Sequence, residues 1–355
     1  MGIFESAGQR FMHEPRKLLR TPRDQLAGHA WTILPYLTDR ISPSRLMFGQ
    51  AYGYAHHDHR LGPTPIHGTL FTGRMPSRRL VMIQHGIASS RREPYILRLT
   101  KHLVARGFHV LSLSLRGSHG HGCDHYHAGL TEDLQAVFSD PALAAYDKIW
   151  LIGYSLGGQI ALRFALDIAP PRLAGVASVC APLCMRSAQL ALDTPGMRMY
   201  RRPILATLKR RYKRLWHNAL VQGRPMAGNL KTILGTKTFY EWDESVVCPR
   251  FGFRSVGAYY DRVSTRDELG RLAVPTLAIF ARHDPIVPFT SVEELTHRPP
   301  PSMRVQVLDQ AGHLGCIQQL RIGPTESRFD TALLEWLSSQ PDQHARSPVQ
   351  GDHSS

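Results

Sequence analysis

Short apolar runs alternate with amphipathic stretches along most of the chain. The first strong run, residues 80–84, ends at His85 and Gly86. Residues 94–106 then carry apolar side chains at helical spacing, and Gly107 follows where a helix would end. Further apolar runs predict strands at residues 108–115, 149–153, 173–179, 274–281 and 303–308. This alternation predicts an α/β fold in which a mostly parallel central sheet has helices on both faces.

The alternation stops after Cys184 and resumes at Val274. The intervening stretch is long, basic and helical in its pattern, so we expect most of it to form a cap inserted over the sheet. The polar stretch that ends the chain has no periodicity, which is typical of disorder. The predicted organisation is an N-terminal arm (1–59), a first part of the core (60–182), a cap or lid (183–249), a second part of the core (250–340) and a disordered tail (341–355).

The composition, with 43% hydrophobic and 20% charged residues, is typical of a globular protein. No apolar run approaches the roughly 20 residues that a transmembrane helix needs, and the first residues lack the apolar segment of a secretory signal. We therefore expect a cytoplasmic protein. Met1, Gly2 and Ser6 match the loose pattern for N-myristoylation, which leaves a lipid anchor open. No feature of the sequence specifies an oligomeric state.

The chain has 43 lysine and arginine residues against 28 aspartate and glutamate residues, a formal net charge of +15. Such a charge favours an anionic partner, either nucleic acid or a membrane surface. The sequence contains no zinc-finger spacing, RNA-recognition signature or basic leucine-zipper pattern, so nucleic acid is not the expected partner. The five cysteines are scattered without a C-x-x-C pair, which predicts reduced thiols.

The strand at residues 149–153 leads into Gly153-Tyr154-Ser155-Leu156-Gly157, a G-x-S-x-G motif. A strand, one sharp turn and a helix form the context in which this motif presents a nucleophilic serine. Glycines are needed there because a side chain would collide with the neighbouring strand and helix. Ser155 also begins a helix, where free backbone N–H groups favour developing negative charge. We therefore predict that Ser155 is a catalytic nucleophile.

A serine hydroxyl needs a base to accept its proton. Asp284 follows the apolar run at residues 274–281, and His313 follows the run at residues 303–308. Both come after strand ends, where sites in open α/β sheets gather. The chain order Ser, Asp, His is the order that accompanies this type of turn. Ser155, Asp284 and His313 are therefore the predicted catalytic triad.

Two backbone N–H groups are expected to bind the oxyanion of a tetrahedral intermediate. Leu156, the residue after the nucleophile, supplies one of them. The second is expected from the loop after the first strong strand, where Gly86 allows a close turn and Ile87 carries the N–H group. This chemistry requires no cofactor and no metal.

Further short motifs accompany the triad at residues 29–35, 85–86, 116–117, 126–129 with Asp133, 153–158, 241–244, 252–253 and 259–260. Together these motifs resemble the YheT-like branch of the α/β-hydrolase superfamily, which includes the eukaryotic ABHD-type lipid hydrolases. The likeness runs from residue 29 nearly to Trp336. It implies an α/β-hydrolase fold and a carboxylesterase or lipid-ester hydrolase, with acyl transfer to alcohols in some relatives.

The loop at residues 118–127 reads SHGHGCDHYH and departs from that resemblance by its histidine content. Its histidines and Cys123 stand at alternate positions, a spacing that could present several zinc ligands on one side of the loop. Tyr126 and His127 are already accounted for by the resemblance. We therefore expect polar packing near the active site and no metal.

The segment at residues 199–220 has two faces at helical spacing. Its apolar positions are Ile204, Leu205, Leu208, Tyr212, Leu215, Trp216 and Leu220. Its basic positions are Arg201, Arg202, Lys209, Arg210, Arg211, Lys213 and Arg214. Such a helix is either a lid whose apolar face covers the acyl pocket, or a lid that also contacts an anionic membrane. Both alternatives stay open.

The sequence thus predicts a serine carboxylesterase or lipid-ester hydrolase that acts through an acyl-enzyme intermediate on a small-molecule or lipid ester. An alcohol O-acyltransferase would use the same triad, with a second alcohol in place of water. A non-catalytic protein that binds a ligand in the same pocket is the alternative from a different class.

Overall fold

The computed structural model describes residues 22–39, 50–58, 62–224, 226–316 and 327–340. The predicted tail at residues 341–355 and the myristoylation pattern at the start of the chain lie outside this part.

An eight-stranded sheet forms the centre of the described part of the chain. Its strands are β1 (Gln50–Asp58), β2 (Gly62–Phe71), β3 (Arg79–Gln84), β4 (His109–Leu113), β5 (Lys148–Tyr154), β6 (Leu173–Val179), β7 (Thr276–Ala281) and β8 (Met303–Leu308). The order across the sheet is β1-β2-β4-β3-β5-β6-β7-β8. Strand β2 runs antiparallel to β1 and β4, whereas the pairs from β4 to β8 are parallel. The predicted α/β fold class, with a mostly parallel sheet, is confirmed.

Twelve α-helices lie within the same residues: α1 (Pro22–Asp39), α2 (Pro94–Ala105), α3 (Glu132–Phe138), α4 (Leu156–Asp167), α5 (Met185–Leu192), α6 (Arg198–Val221), α7 (Leu230–Gly235), α8 (Phe239–Trp242), α9 (Cys248–Phe251), α10 (Val256–Val263), α11 (Glu293–His297) and α12 (Arg328–Ser338). A two-stranded hairpin, β9 (Ala311–Gly312) with β10 (Gly315–Cys316), follows β8.

Each face of the sheet has its own hydrophobic core. In β3, Leu80 and Met82 pack into one core, and Val81 and Ile83 pack into the other, as the alternation of side chains along a strand requires. Side chains of α3 and α4 complete the first core, and side chains of α2 and α12 complete the second. Helices therefore cover both faces of the sheet, as the sequence pattern predicts.

The N-terminal part of the chain belongs to the core more closely than the predicted arm at residues 1–59 suggests. Strand β1 extends the sheet by pairing with β2 along its whole length. Helix α1 packs against the hairpin of β9 and β10. Helix α1 lies far apart in sequence from the hairpin that it contacts, so local hydrophobic patterning does not reveal that contact. Strand β1 pairs with the next strand along the chain, but its sequence, QAYGYAHHD, contains no run of aliphatic side chains.

The cap lies between β6 and β7 and is helical, as predicted. It contains α5 to α10, a π-helical turn at Asp243–Val247 and a 3₁₀-helix at Arg266–Arg271. Helix α6 is the longest of these elements, and its side chains at Leu205, Leu208, Tyr212, Leu215 and Ala219 are buried. The exact domain boundaries stay predictions.

Candidate active site

Ser155 lies on the sharp turn between β5 and α4. Its backbone has φ 53° and ψ −121°, which residues with side chains rarely adopt, so the turn is strained. A Cβ atom added at Gly153 would lie 2.2 Å from the carbonyl oxygen of Gly157, and one added at Gly157 would lie 2.6 Å from that of His85. Both glycines are therefore required for the close packing that presents Ser155.

His313 lies in the turn between β9 and β10, beside Ser155. Its Nε2 atom is 3.0 Å from Oγ of Ser155, and its Nδ1 atom is 2.7 Å from Oδ2 of Asp284. Because an ionised carboxylate only accepts hydrogen bonds, Nδ1 donates to Asp284 and Nε2 is left to accept the serine hydroxyl. The structure thus brings the three predicted triad residues together.

The turn after β7 orients the Asp284 carboxylate. Its Oδ1 atom accepts the N–H groups of Ile286 at 2.7 Å and Val287 at 2.9 Å, while Oδ2 faces His313. Cys180, at the end of β6, also forms a hydrogen bond with Asp284. Burial raises the pKa of the Cys180 thiol well above its usual range, so the neutral thiol donates to this carboxylate. Asp284 is 2% exposed, and both of its carboxylate oxygens accept hydrogen bonds.

Helix α1 contacts the turn that carries His313, a contact that the sequence analysis missed. The N–H group of His313 donates to Oγ1 of Thr32 at 2.8 Å. A Cβ atom added at Gly312 would lie 2.3 Å from the same oxygen, so the approach requires glycine. His29 of α1 is 2.9 Å from the hydroxyl of Tyr200 on α6. Helix α1 therefore links the His313 turn to the cap.

The two predicted oxyanion donors lie in the wall of the cavity that contains Ser155. Within the described residues, the backbone N–H groups of Ile87 and Leu156 have no hydrogen-bond acceptor. His85 Nδ1 is 2.8 Å from the carbonyl oxygen of Gly86. In a trans peptide the N–H group points away from the carbonyl group, so this hydrogen bond also fixes the direction of the Ile87 N–H.

A second side chain holds the other end of the same loop. The N–H group of Ala88 donates to the hydroxyl of Tyr126 at 2.9 Å. Ala88 has φ 55°, a left-handed conformation that turns the chain immediately after Ile87. Burial lowers the pKa of His85 to about 3, so this histidine is neutral and acts as a fixed hydrogen-bonding group. The loop is therefore held on both sides of the expected donor.

Two cavities meet at Ser155, and Ile87 and Ile286 lie in the walls of both. The first cavity is partly enclosed beneath the cap, has a volume of about 90 Å³ and is lined mainly by apolar side chains, among them Leu192 and Leu208. The second is a groove of about 520 Å³ that runs between α1, the loop at residues 86–89 that carries the expected Ile87 donor, and the first turns of α6. A ligand at Ser155 thus has a separate space on each side.

Three buried charges and the partly buried Arg250 form one network beside the enclosed cavity. Arg116 Nη1 donates to Asp124 at 2.8 Å, and Arg116 also pairs with Asp133. Arg250 donates to both oxygens of Asp124 at 2.8 Å. Burial alone would lower the pKa of Arg116, but the two aspartates raise it above its ordinary value. Two arginines face two aspartates, so the network is balanced in charge.

The histidine-rich loop packs against this network and against the cap. His119 Nε2 contacts Arg91 and Ser114, and burial together with Arg91 lowers the pKa of His119 to about 4. His127 Nδ1 accepts the N–H group of Gly129 at 3.1 Å. In the described part of the chain, a group of three close metal-ligand atoms is found at Cys180, Asp284 and His313 and not in this loop.

The observed position of Arg211 differs from the predicted one, which was the basic outer face of the cap helix. The structure places Arg211 in the wall of the enclosed cavity, together with Ser155. It hydrogen-bonds to the Tyr126 hydroxyl, and burial lowers the pKa of its guanidinium. The sequence indicates this position, because Arg211 follows Leu208 by three residues and precedes Leu215 by four. Residues at these spacings lie on one face of a helix. Leu220, assigned to the apolar face, is 55% exposed.

Asp243 is an acidic residue in the cavity wall, on the π-helical turn. Its Oδ2 atom accepts the hydroxyl of Tyr260 at 2.7 Å. Burial raises the pKa of this carboxyl to about 7, although the Tyr260 hydrogen bond acts in the opposite direction. The resemblance singles out both residues as a motif but assigns them no role.

The outer side of α6 carries a basic groove of about 690 Å³. Its charged and titratable side chains are His119, His121, Lys209, Arg210, Lys213, Arg214 and His217. No acidic side chain of the described residues lies in its wall. Arg210, Lys213 and Arg214 are exposed. This groove is separated from the enclosed cavity by α6 itself.

None of the helices in the described ranges combines the length and the apolar character that a membrane crossing requires.

The sequence matches the family model described as alpha/beta hydrolase fold over residues 79–320.

Relatives and solved structures agree with this match. The chain is 26% identical over 274 residues to YheT of Escherichia coli (strain K12), covering 74% of this chain and 76% of that protein. It is 21% identical over 269 residues to phospholipase ABHD3 of Bos taurus, covering 71% of this chain and 61% of that protein. The crystal structure of the 2,6-dihydroxy-pseudo-oxynicotine hydrolase is similar with a TM-score of 0.53 at 19% identity, covering 82% of this chain and 68% of that one. The chain therefore belongs to the α/β-hydrolase fold family, in its YheT- and ABHD-like branch.

Proposed function

We propose that the protein hydrolyses carboxylic esters through a covalent acyl-enzyme formed on Ser155, with His313 as general base and acid and Asp284 as the carboxylate that orients it. The class of enzyme, a carboxylic ester hydrolase, follows from the family and the named relatives. The observation that carries the residue assignment is the position of His313, 3.0 Å from the Ser155 hydroxyl and 2.7 Å from Asp284.

The geometry supports the following sequence of steps. His313 Nε2 accepts the Ser155 proton as Oγ attacks the ester carbonyl carbon, and the carbonyl oxygen takes up negative charge. The N–H groups of Ile87 and Leu156 stabilise that oxyanion. His313 then donates its proton to the leaving alcohol, and the acyl group remains on Ser155. A water molecule repeats the steps, activated by the same imidazole, and releases the acid.

The two cavities suggest how the ester is oriented. The enclosed cavity beneath the cap is mainly apolar, which suits an acyl chain, and its small volume favours a short or medium chain. The open groove on the other side of Ser155 suits the alcohol part, including a bulky glycerol-type alcohol of a lipid. We therefore propose small-molecule and lipid esters as the substrates.

A rate comparison and a covalent label test this proposal. Ser155→Ala and His313→Ala should each lower kcat by several orders of magnitude, and the double variant should be little worse, because the residues act as a unit. A fluorophosphonate probe should label the wild type at Ser155. Ser139→Ala, at an exposed hydroxyl that bonds within its own helix, is the matched control and should behave as wild type. Near wild-type turnover by Ser155→Ala would overturn the assignment, and a folded wild type without labelling or turnover would indicate a non-catalytic binding protein.

Acyl transfer to an alcohol is the second candidate. The observation that favours it is the open groove, which has room for an acceptor alcohol while the acyl group occupies the enclosed cavity. Product analysis in mixtures of water and ethanol separates the two reactions. A ratio of ethyl ester to free acid well above the molar ratio of ethanol to water would indicate acyl transfer. Free acid as the sole product would indicate hydrolysis.

The basic groove on the outer side of α6 supports a further proposal, peripheral contact with an anionic membrane. Each basic residue near an anionic surface contributes roughly 1 kcal/mol, so three of them contribute about 3 kcal/mol, or roughly a hundredfold in affinity at low salt. The variant that tests this replaces Arg210, Lys213 and Arg214 with glutamine. It leaves Arg211 intact, because that side chain lines the cavity.

Co-sedimentation with phosphatidylcholine vesicles that contain phosphatidylserine measures this contact. We expect the wild type to sediment at low salt, to be released at high salt, and to lose binding in the triple variant. A control with the same change in charge replaces the exposed residues Lys101, Arg106 and Arg304 with glutamine and should still bind. Wild type that stays in solution at low salt, or equal loss in the two variants, would leave the cap as a lid alone.

A further inference from the structure

Arg211 differs from the buried Arg116 and Arg163 in having no carboxylate hydrogen-bonded to its guanidinium. Arg163 donates to Asp167 at 2.7 Å and to Glu268 at 2.6 Å, and Arg116 pairs with two aspartates. Arg211 contacts the Tyr126 hydroxyl, and its Nη1 atom is buried without a hydrogen-bond partner in the described structure. A desolvated guanidinium left without an anion is costly, and such a position is typical of a group that meets its partner in a ligand.

Glu93, in the wall of the groove, attracts Arg211 without a hydrogen bond, and no carboxylate in the wall of the enclosed cavity pairs with it. The network of Arg116, Arg250, Asp124 and Asp133 is balanced within itself. The remaining acid in the cavity wall, Asp243, is hydrogen-bonded to Tyr260, and its pKa of about 7 keeps it largely protonated in acidic solution and about half protonated near pH 7. The enclosed cavity is thus a mainly apolar space with one unpaired cation in its wall.

The same cavity contains the reacting groups. Ser155, Ile87 and Leu156 lie in its wall together with Arg211. Tyr126 connects Arg211 to the expected oxyanion donor Ile87, since its hydroxyl contacts Arg211 and accepts the N–H group of Ala88, the residue after Ile87. An oxygen anion bound by Arg211 therefore lies in the same small space as an acyl group bound to Ser155.

We propose that Arg211 is a specificity-determining residue that binds an anionic oxygen group of the substrate, a carboxylate or a phosphate, within the enclosed cavity. A guanidinium suits both groups because its planar N–H donors match paired oxygen acceptors. The proposal rests on the proposed ester hydrolysis and adds the substrate class to it, esters that carry a negative charge a short distance from the reacting carbonyl. The small volume of the cavity, about 90 Å³, sets the short distance.

Three ethyl esters of similar length test the proposal: monoethyl glutarate, which carries a carboxylate, its neutral amide ethyl 4-carbamoylbutanoate, and ethyl 4-phosphonobutanoate. Release of ethanol gives kcat/KM for each. We expect the wild type to prefer at least one anionic ester over the amide by roughly tenfold to a hundredfold, the range of a charge-assisted hydrogen bond. The preferred anion distinguishes a carboxylate from a phosphate substrate.

Arg211→Gln should lower kcat/KM for the anionic esters by at least tenfold more than for the amide, and Arg211→Lys should restore part of the preference. Arg304→Gln, at an exposed position on β8, is the control and should keep the wild-type preference. A wild type with no preference for either anion would overturn the proposal. So would an unchanged preference in Arg211→Gln, or equal losses on all three esters, which would assign Arg211 to the support of Tyr126 alone.

Fluorophosphonate labelling of Ser155 separates this outcome from failure of the proposed function. A wild type that is labelled and hydrolyses the amide ester without discrimination refutes the role of Arg211 and keeps the esterase. A wild type that is neither labelled nor active on any ester refutes both. If Arg211→Gln fails to fold, the wild-type preference and its partial retention in Arg211→Lys decide the question.

Discussion

Replacement of Gly153 by alanine tests the link between the sharp turn and the triad. A Cβ atom at this position would lie 2.2 Å from the carbonyl oxygen of Gly157 and 2.4 Å from two further backbone atoms of the first turn of α4. The obstacle is backbone, so no side chain can move aside to make room. Strand β5 and helix α4 would have to separate by roughly 1 Å, and Ser155 lies at the point where they meet.

The magnitude follows from this overlap. Overpacking against movable side chains costs about 1–3 kcal/mol, so a clash with backbone should cost at least about 3 kcal/mol. For a protein of this size that loss lowers Tm by at least about 4 °C. A displacement of the nucleophile by about 1 Å should also lower kcat by roughly a hundredfold or more. Activity should fall even at temperatures where the variant remains folded.

Thermal unfolding and ester hydrolysis, measured on the same preparations, check both effects. Gly235→Ala is the matched control, because Gly235 is exposed and a Cβ atom there would meet nothing within 4 Å. That variant should keep its activity and change stability by no more than about 1 kcal/mol. A Gly153→Ala protein with the Tm and turnover of the wild type would refute the packing argument.

Further predictions concern Asp243, Thr32 and metals. Burial raises the pKa of Asp243 to about 7, so the folded protein binds more protons than the unfolded chain between about pH 4 and pH 7, and stability falls as pH rises through this window. Asp243→Asn should therefore raise Tm relative to wild type more at pH 8 than at pH 5. An equal difference in Tm at both pH values would contradict this. Thr32→Val should lower kcat about fivefold to a hundredfold with little change in KM, since the N–H group of His313 loses its acceptor, and Thr32→Ser should restore activity. Ester hydrolysis by protein without a histidine tag should be unchanged after exhaustive chelation, because His119 and His127 are engaged within the protein; activity lost on chelation and restored by zinc would contradict this.

The parts of the fold that depend on short stretches of sequence were predictable. A buried parallel strand is a short apolar run, so β3 to β8 stand out, and the glycines around Ser155 mark a turn that other residues cannot form. The chain order of a strand-following aspartate and histidine then predicted two residues that the structure brings to Ser155. The strand and turn signals lie within a few residues of their physical cause, whereas the triad partners were identified by their order along the chain and their position after strand ends.

The parts that depend on contacts between distant segments were not predictable in the same way. Thr32 accepts a hydrogen bond from the N–H group of His313, which lies 281 residues further along the chain, and no local pattern indicates that pairing. Arg211 shows a different limit. Its charge favoured an exposed face, whereas its spacing from Leu208 and Leu215 favoured the buried face, and spacing decided because the helix has no other way to place that position. A charged residue at a helical position that faces a cavity is costly to desolvate, so where no carboxylate is hydrogen-bonded to it, the pattern favours a ligand.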